Sequence, residues 1–154
     1  MSAVWPHPDH DSCSSVILRT RFCETDLMGV IHHAVYLTYF EAARVEYFRR
    51  RGSGYKVWTE RGYHLAVAES HVRHKKPLRF DERIAIEVRL SELGRASMLF
   101  TYRLVRPEAP SEVVAEGDTL LACVGNDGAI RLMTQDLAVT LCVPERFHDF
   151  SDGE

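Results

Sequence analysis

The sequence predicts an α+β domain in which one long helix is wrapped by a curved antiparallel sheet of about five strands. Three observations point there. Between residues 33 and 51 the apolar positions Tyr36, Tyr39, Phe40, Ala43 and Tyr47 recur at helical spacing and mark one face. From residue 63 onward the period falls to two, and "RIAIEVRL" and "MLFTYRLV" alternate as half-buried strands do. No second long helical pattern precedes the last part of the chain, so the helix has only the sheet to pack on, and the sheet must curve to cover it.

The elements follow in order. Residues 1–14, rich in Pro, His, Asp and Ser, are expected to be a flexible tail, with a single domain over 15–146 and a second tail over 147–154. "SVILRTRFC" alternates as a strand. The helix over 33–51 ends in Arg49, Arg50, Arg51 and Gly52, cations at the negative end of the dipole followed by a glycine stop. "GSGYKVWTERG" is read as irregular, and strands are expected over 63–76, 83–92, 96–106 and 113–124. "ELGRA" is a turn, and Asp127-Gly128 favours a type I′ hairpin. "TQDLAVTLCV" is a last helical or strand segment. Successive strands with short links make the sheet antiparallel, and its exposed edges favour pairing with another copy.

Composition excludes several classes of function. At 154 residues one core is expected, because separate cores arise above roughly 200–250 residues. A net charge of −3 leaves no general attraction to nucleic acid or anionic lipid. No stretch approaches the ~20 apolar residues that span a bilayer, and "MSAVWPHPDHDSCSS" lacks the basic and apolar regions of a signal peptide, so a cytoplasmic location is expected. Cys13, Cys23, Cys123 and Cys142 form no C-x-x-C pair and are expected as free thiols. Neither an H-E-x-x-H framework nor a G-x-S-x-G elbow occurs, so no metal, no cofactor and no serine nucleophile is expected. Cys23 lies in a strand pattern without an orienting partner for a thiol nucleophile.

One stretch stands out chemically. "RFCETDLMGVIHHAVYLTYFEAARVEYFRRRG" resembles the hotdog-fold thioesterases of the 4-hydroxybenzoyl-CoA thioesterase and Tol-Pal cluster acyl-CoA thioesterase type. Glu24, Asp26, Gly29, His33, Tyr36, Tyr39, Glu41 and Arg44 fall on that family's pattern, and "ERG", "KPLRFDE" and "NDGAIRL" continue the likeness over about residues 16–140. The resemblance implies the hotdog fold, hydrolysis of an acyl-CoA or acyl-carrier-protein thioester, and a homodimer or homotetramer with sites between subunits. It makes Asp26 the catalytic carboxylate, as nucleophile or as general base, and the His33 amide the group that polarises the carbonyl. Gly29 allows close approach and the turn into the helix, while Tyr36 and Arg95 are expected in substrate binding. A histidine at position 33 matches the acyl-CoA branch, where the 4-hydroxybenzoyl branch has an aromatic residue.

The chemistry agrees with that assignment. A thiol with a pKa of about 8.5 leaves as thiolate without an obligatory acid. What remains is an oxygen nucleophile and stabilisation of the developing oxyanion, for which a carboxylate and the unpaired amides of a helix N-terminus are suited. Asp26 also reads as the start of an Asx-turn, and Glu41 with Arg44 as a structural pair on the helix. Where the 4-hydroxybenzoyl enzyme carries a basic cluster, the "ELGRAS" turn has Arg95 alone. Either Arg95 with Arg73, Lys75, Lys76 and Arg79 holds the nucleotide, or a carrier protein is the thiol donor; a solvated strand face explains the basic run equally well. A non-catalytic acyl-binding module is the remaining reading, and the carboxylate beside an apolar pocket speaks against it.

Overall fold

The computed structural model describes residues 4–146; the expected C-terminal tail over 147–154 and the first three residues lie outside them. Five strands, β1 (Cys13–Arg19), β2 (His64–His74), β3 (Arg83–Leu93), β4 (Ser97–Arg106) and β5 (Ala109–Val124), form one sheet in the order β1-β3-β4-β5-β2, antiparallel throughout. Helix α1 (Val35–Arg49) lies along its inner face, α2 (Tyr55–Glu60) follows directly, and α3 (Gln135–Cys142) closes the chain. Register shifts between Val67 and Glu69, between Leu90 and Glu92, and at Leu104 to Arg106 place bulges that bend the strands around the helix.

The helical face read from the spacing is the face that packs. Tyr36, Tyr39, Phe40, Ala43 and Tyr47 are all buried, joined by Arg44 and Phe48. Phe40 stacks on Tyr102 of β4 with ring centroids 4.4 Å apart, and Phe48 meets Phe100, Tyr55 and Trp58. Each fully buried side chain of this size contributes about 1.5–3 kcal/mol, so this seam holds helix and sheet together. Gly117 is the point of closest approach. A Cβ there would collide with the His71 carbonyl oxygen and lie 2.8 Å from the Phe40 ring.

Several expectations are corrected. The strand read as "SVILRTRFC" stops at Arg19, and Phe22–Glu24 forms a 3-10 turn. The irregular stretch contains α2, whose six residues are too few to show a period. Links are short only from β3 to β5, whereas β2 crosses to the far edge and pairs with β5. The loop 125–129 is not type I′: Asp127 keeps a negative φ, Gly128 adopts +79°, and Gly125 N–H donates to Ala129 O at 2.9 Å, as in a three-residue loop closed by a left-handed glycine. Residues 4–14 are tied down. Trp5 Nε1 donates to Leu93 O (3.1 Å), Leu90 N to Ser12 O (3.0 Å), and Arg51, 1% exposed, donates to Asp11 O and Cys13 O. The arginine run is therefore more than a helix-end charge: Arg51 also donates to Ser14 Oγ, Tyr47 O and Val143 O, stapling both chain ends to α1.

Candidate active site

The approach to α1 is a closed, hydrogen-bonded loop. Asp26 N donates to Val30 O (2.9 Å) and Gly29 N to Asp26 O (3.0 Å), while Thr25 bridges Ile31. Gly29 sits at φ +76°, where an L side chain is strained although open space surrounds it, so the turn rather than close packing requires glycine. Asp26 Oδ1 accepts the Met28 amide at 2.8 Å and the Val30 amide at 3.4 Å. The Asx-turn reading is thus correct for one oxygen; the other makes no hydrogen bond among the described residues.

The helix entrance has no Ser, Thr, Asp or Asn at its cap, and its N-cap, Ala34, offers no side-chain oxygen. His32 supplies the missing acceptors, its Nδ1 taking the Ala34 amide (3.1 Å) and its carbonyl the Val35 amide (3.0 Å). The His33 amide between them donates to nothing among the described residues. An unpaired N–H at the positive end of a helix is a site for negative charge.

Asp26 and His33 line one cavity of about 350 Å³, together with Val30, Ile31, Tyr36, His74, Lys75, Lys76 and Pro77. The Tyr36 ring meets the His74 ring edge-on at 4.6 Å, and burial pushes the Tyr36 hydroxyl above its ordinary range. The two lysines are present because β2 must cross to β3 over the end of the sheet, which carries residues 75–82 under the Asp26 loop. Ile31 N donates to Leu78 O at 2.8 Å, and Val30 bridges Arg79. That crossing loop is held by Glu82, which accepts Arg79 N (2.6 Å) and Arg106 Nε (2.9 Å). Burial works to raise the Glu82 carboxyl, but the Arg106 and Arg79 donors outweigh it and hold it below its ordinary value.

Asp26, His33 and Tyr36 are brought together in the cavity; Gly29 shapes the loop beside it without lining it, and Arg95 lies elsewhere. It lies in the β3–β4 turn beyond Leu93, whereas the cavity is at the Arg83 end of β3, and an 11-residue strand is roughly 35 Å long. Its guanidinium instead sits 4.8 Å from the Trp5 ring centroid. Glu41 and Arg44 do not pair: Glu41 is exposed, and Arg44 is buried among hydroxyls. His71 binds Asp118 across the strands at 2.9 Å, and His32 stacks on His33, so these rings converge on no common point. The one cluster of close ligand atoms among the described residues is Asp9, His10 and Asp11, near the N-terminal end of the described chain.

One residue that falls on the family pattern is given no role by the sequence, and it supports the site. Glu24, 7% exposed, accepts Tyr39 Oη (2.8 Å) and Arg21 N (2.7 Å), and its carbonyl accepts the His32 amide (2.8 Å). It fastens the start of the Asp26 loop to the buried face of α1. The signal was its place in the acidic pair Glu24-x-Asp26, of which the chemistry of a thioester calls for only the second carboxylate.

Comparison with known proteins extends the geometry. The family model described as the thioesterase-like superfamily matches residues 20–145. The Acyl-CoA thioester hydrolase YbgC of Escherichia coli is 27% identical over 107 residues, covering 70% of this chain and 78% of that protein. Two solved structures are similar: a hypothetical protein from Thermus thermophilus, with a TM-score of 0.77, 35% identity and coverage of 84% and 95%, and the DHNA-CoA thioesterase from Staphylococcus aureus, with a TM-score of 0.74, 26% identity and coverage of 78% and 80%.

Proposed function

The chain belongs to the thioesterase-like superfamily, and from that premise we propose that it is an acyl-CoA thioesterase in which Asp26 supplies the oxygen chemistry and the His33 amide the oxyanion contact. The observation that supports this reading is that Asp26, with one carboxylate oxygen unpartnered among the described residues, and His33, whose helix-entrance amide is likewise unpartnered there, line one cavity. The thioester carbonyl lies between them. Asp26 attacks the carbonyl carbon, the thiolate leaves and water hydrolyses the mixed anhydride to the free acid; or Asp26 takes a proton from a water that attacks the carbonyl, and departure of the thiolate gives the acid directly. The amide of His33 and the helix dipole stabilise the oxyanion that forms on the way. Tying the other Asp26 oxygen to Met28 and Val30 holds the carboxylate in one orientation, which removes reorganisation from the reaction.

Lys75 and Lys76 at the rim supply cations for the nucleotide phosphates in place of Arg95. The cavity is open, and β2, an edge strand, is exposed along most of its length, with Val67 53% exposed on its inward side. A second copy paired along β2 closes both, giving the homodimer or homotetramer this site requires. A second reading draws on the apolar residues around the mouth, Phe22, Leu27, Met28 and Phe80, all more than half exposed. They suit a carrier protein presenting its pantetheine arm.

The experiment is release of free thiol from short, long and aromatic acyl-CoAs and from acyl-carrier-protein, with Asp26→Asn as control. Turnover of CoA esters that collapses in the variant supports the proposal. Turnover of carrier-protein esters alone moves the assignment to the second reading, and ligand binding without any cleavage removes the enzyme reading.

A further inference from the structure

Helix α1 is capped by a ring two residues ahead of its N-cap. His32 Nδ1 accepts the Ala34 amide at 3.1 Å, and the His32 carbonyl accepts the Val35 amide at 3.0 Å. The His32 amide itself goes to Glu24 O at 2.8 Å. Of the amides at residues 32–35, that of His33 is therefore the one left unspent among the described residues. Ala34 has φ −68° and ψ −22°, already helical, so the extended backbone from which Ser, Thr or Asp ordinarily caps a helix is not available there. The imidazole takes over that task. Its Nδ1 stands where the side-chain oxygen of an Asn stands in an Asx-turn, reaching the amide two residues on.

The same ring touches the cavity's histidine. The imidazoles of His32 and His33 stack with centroids 4.3 Å apart and 27° between their planes, and His33 lines the cavity with Asp26. His32 is exposed and lies outside the lining.

Acceptance at Nδ1 fixes the state of the ring. A bare Nδ1 belongs to neutral imidazole with its proton on Nε2, whereas imidazolium has an N–H on both nitrogens and accepts nothing. Protonation points two N–H groups at each other and puts a cation at the positive end of the helix. The cap holds in the neutral ring and fails in the charged one, and imidazoles as a class change charge between about pH 5 and 8. The titratable and charged groups around the ring are His33, stacked on it, and Glu24, whose carboxylate is engaged by Tyr39 and Arg21. Around the adjoining cavity stand Asp26, Tyr36, His74, Lys75 and Lys76.

We propose that His32 is a positioning residue for hydrolysis: its neutral ring caps the entrance of α1, fixes the peptide ahead of Ala34 and so aims the His33 amide, and protonation of the ring releases that alignment. The use of the His33 amide rests on the thioesterase reading, while the cap and its need for a bare Nδ1 stand apart from it.

The test separates the cap from the stack. His32→Asn keeps an acceptor for the Ala34 amide and removes the titrating ring; His32→Phe keeps a ring to stack and removes the acceptor. The position is exposed, so both variants are expected to fold. With an acyl-CoA that the wild type cleaves, His32→Phe at pH ~8 is expected to lose about tenfold or more in kcat with KM little changed, and His32→Asn to stay within about threefold. From pH ~8 to pH ~5.5 kcat is expected to fall less in His32→Asn than in the wild type. Full kcat in His32→Phe, a loss in His32→Asn as large as in His32→Phe, or an acid limb unchanged in His32→Asn overturns the proposal and leaves the hydrolase standing. A second measurement needs no turnover. In amide NMR spectra the Ala34 resonance is expected to move with the titration of the His32 ring and to stay fixed over the same pH range in His32→Asn. An Ala34 amide that ignores the His32 titration overturns the cap. Absence of any thioester cleavage removes the hydrolase reading and the catalytic role of His32 with it, and the NMR coupling then decides by itself whether the neutral ring holds the helix entrance.

Discussion

The Tyr39 hydroxyl donates to the Glu24 carboxylate at 2.8 Å, a buried bond that joins the middle of the helix face to the loop carrying Asp26. It makes that loop part of the core. Tyr39→Phe leaves a buried carboxylate oxygen short of a donor and is expected to cost about 1–3 kcal/mol in unfolding free energy, measured as a lowered urea midpoint at unchanged slope. Thiol release is expected to fall with it, because the loop is anchored there.

Asp26→Asn keeps an oxygen that accepts the Met28 and Val30 amides, so the loop geometry persists while the charge is lost. The expected outcome is a drop in kcat of roughly 10²-fold or more with the melting temperature little changed. A comparable loss of stability instead would mean that Asp26 is mainly a turn residue.

Arg51→Met strips donors from five acceptors, Asp11 O, Cys13 O, Ser14 Oγ, Tyr47 O and Val143 O, and removes the guanidinium 3.6 Å from the Tyr47 ring centroid. A loss of about 3 kcal/mol or more is expected in chemical denaturation. Arg51→Lys should recover only part of it, because a single ammonium cannot reach acceptors arranged around a planar fork.

Gly117→Ala drives a methyl group into the His71 carbonyl and the Phe40 ring. Backbone cannot yield as a flexible side chain does, so a cost of about 1–3 kcal/mol or more is expected. Hydrogen exchange should show β2 amides opening first, since that edge strand is pushed off β5.

The Arg61 hydrogen bond, with help from Thr134, holds the Asp136 carboxyl down to about 2. A depressed carboxyl contributes stability that is complete above its unfolded value of about 3.9 and is lost as pH falls through the folded one. The stability difference between wild type and Asp136→Asn is therefore expected to be constant above pH ~5 and to shrink toward pH ~2. A difference that stays flat across this range would remove the pair from the acid response.

Local order was legible in the chain before folding: one helix with the face Tyr36, Tyr39, Phe40, Ala43 and Tyr47, strands of period two, and an acidic loop closed by Gly29 ahead of the helix. These depend on neighbours within a few positions, which a periodicity or a turn rule reads directly. Folding in three dimensions sends β2 away from its neighbours to the far edge, brings Lys75 and Lys76 on its crossing loop to Asp26, and leaves Arg95 at the opposite side. It also makes buried cations of Arg44 and Arg51, surface residues by any composition rule. Strand pairing and the satisfaction of a buried charge are settled by groups dozens of residues apart, such as Arg44 with Thr119, and no local pattern carries that information.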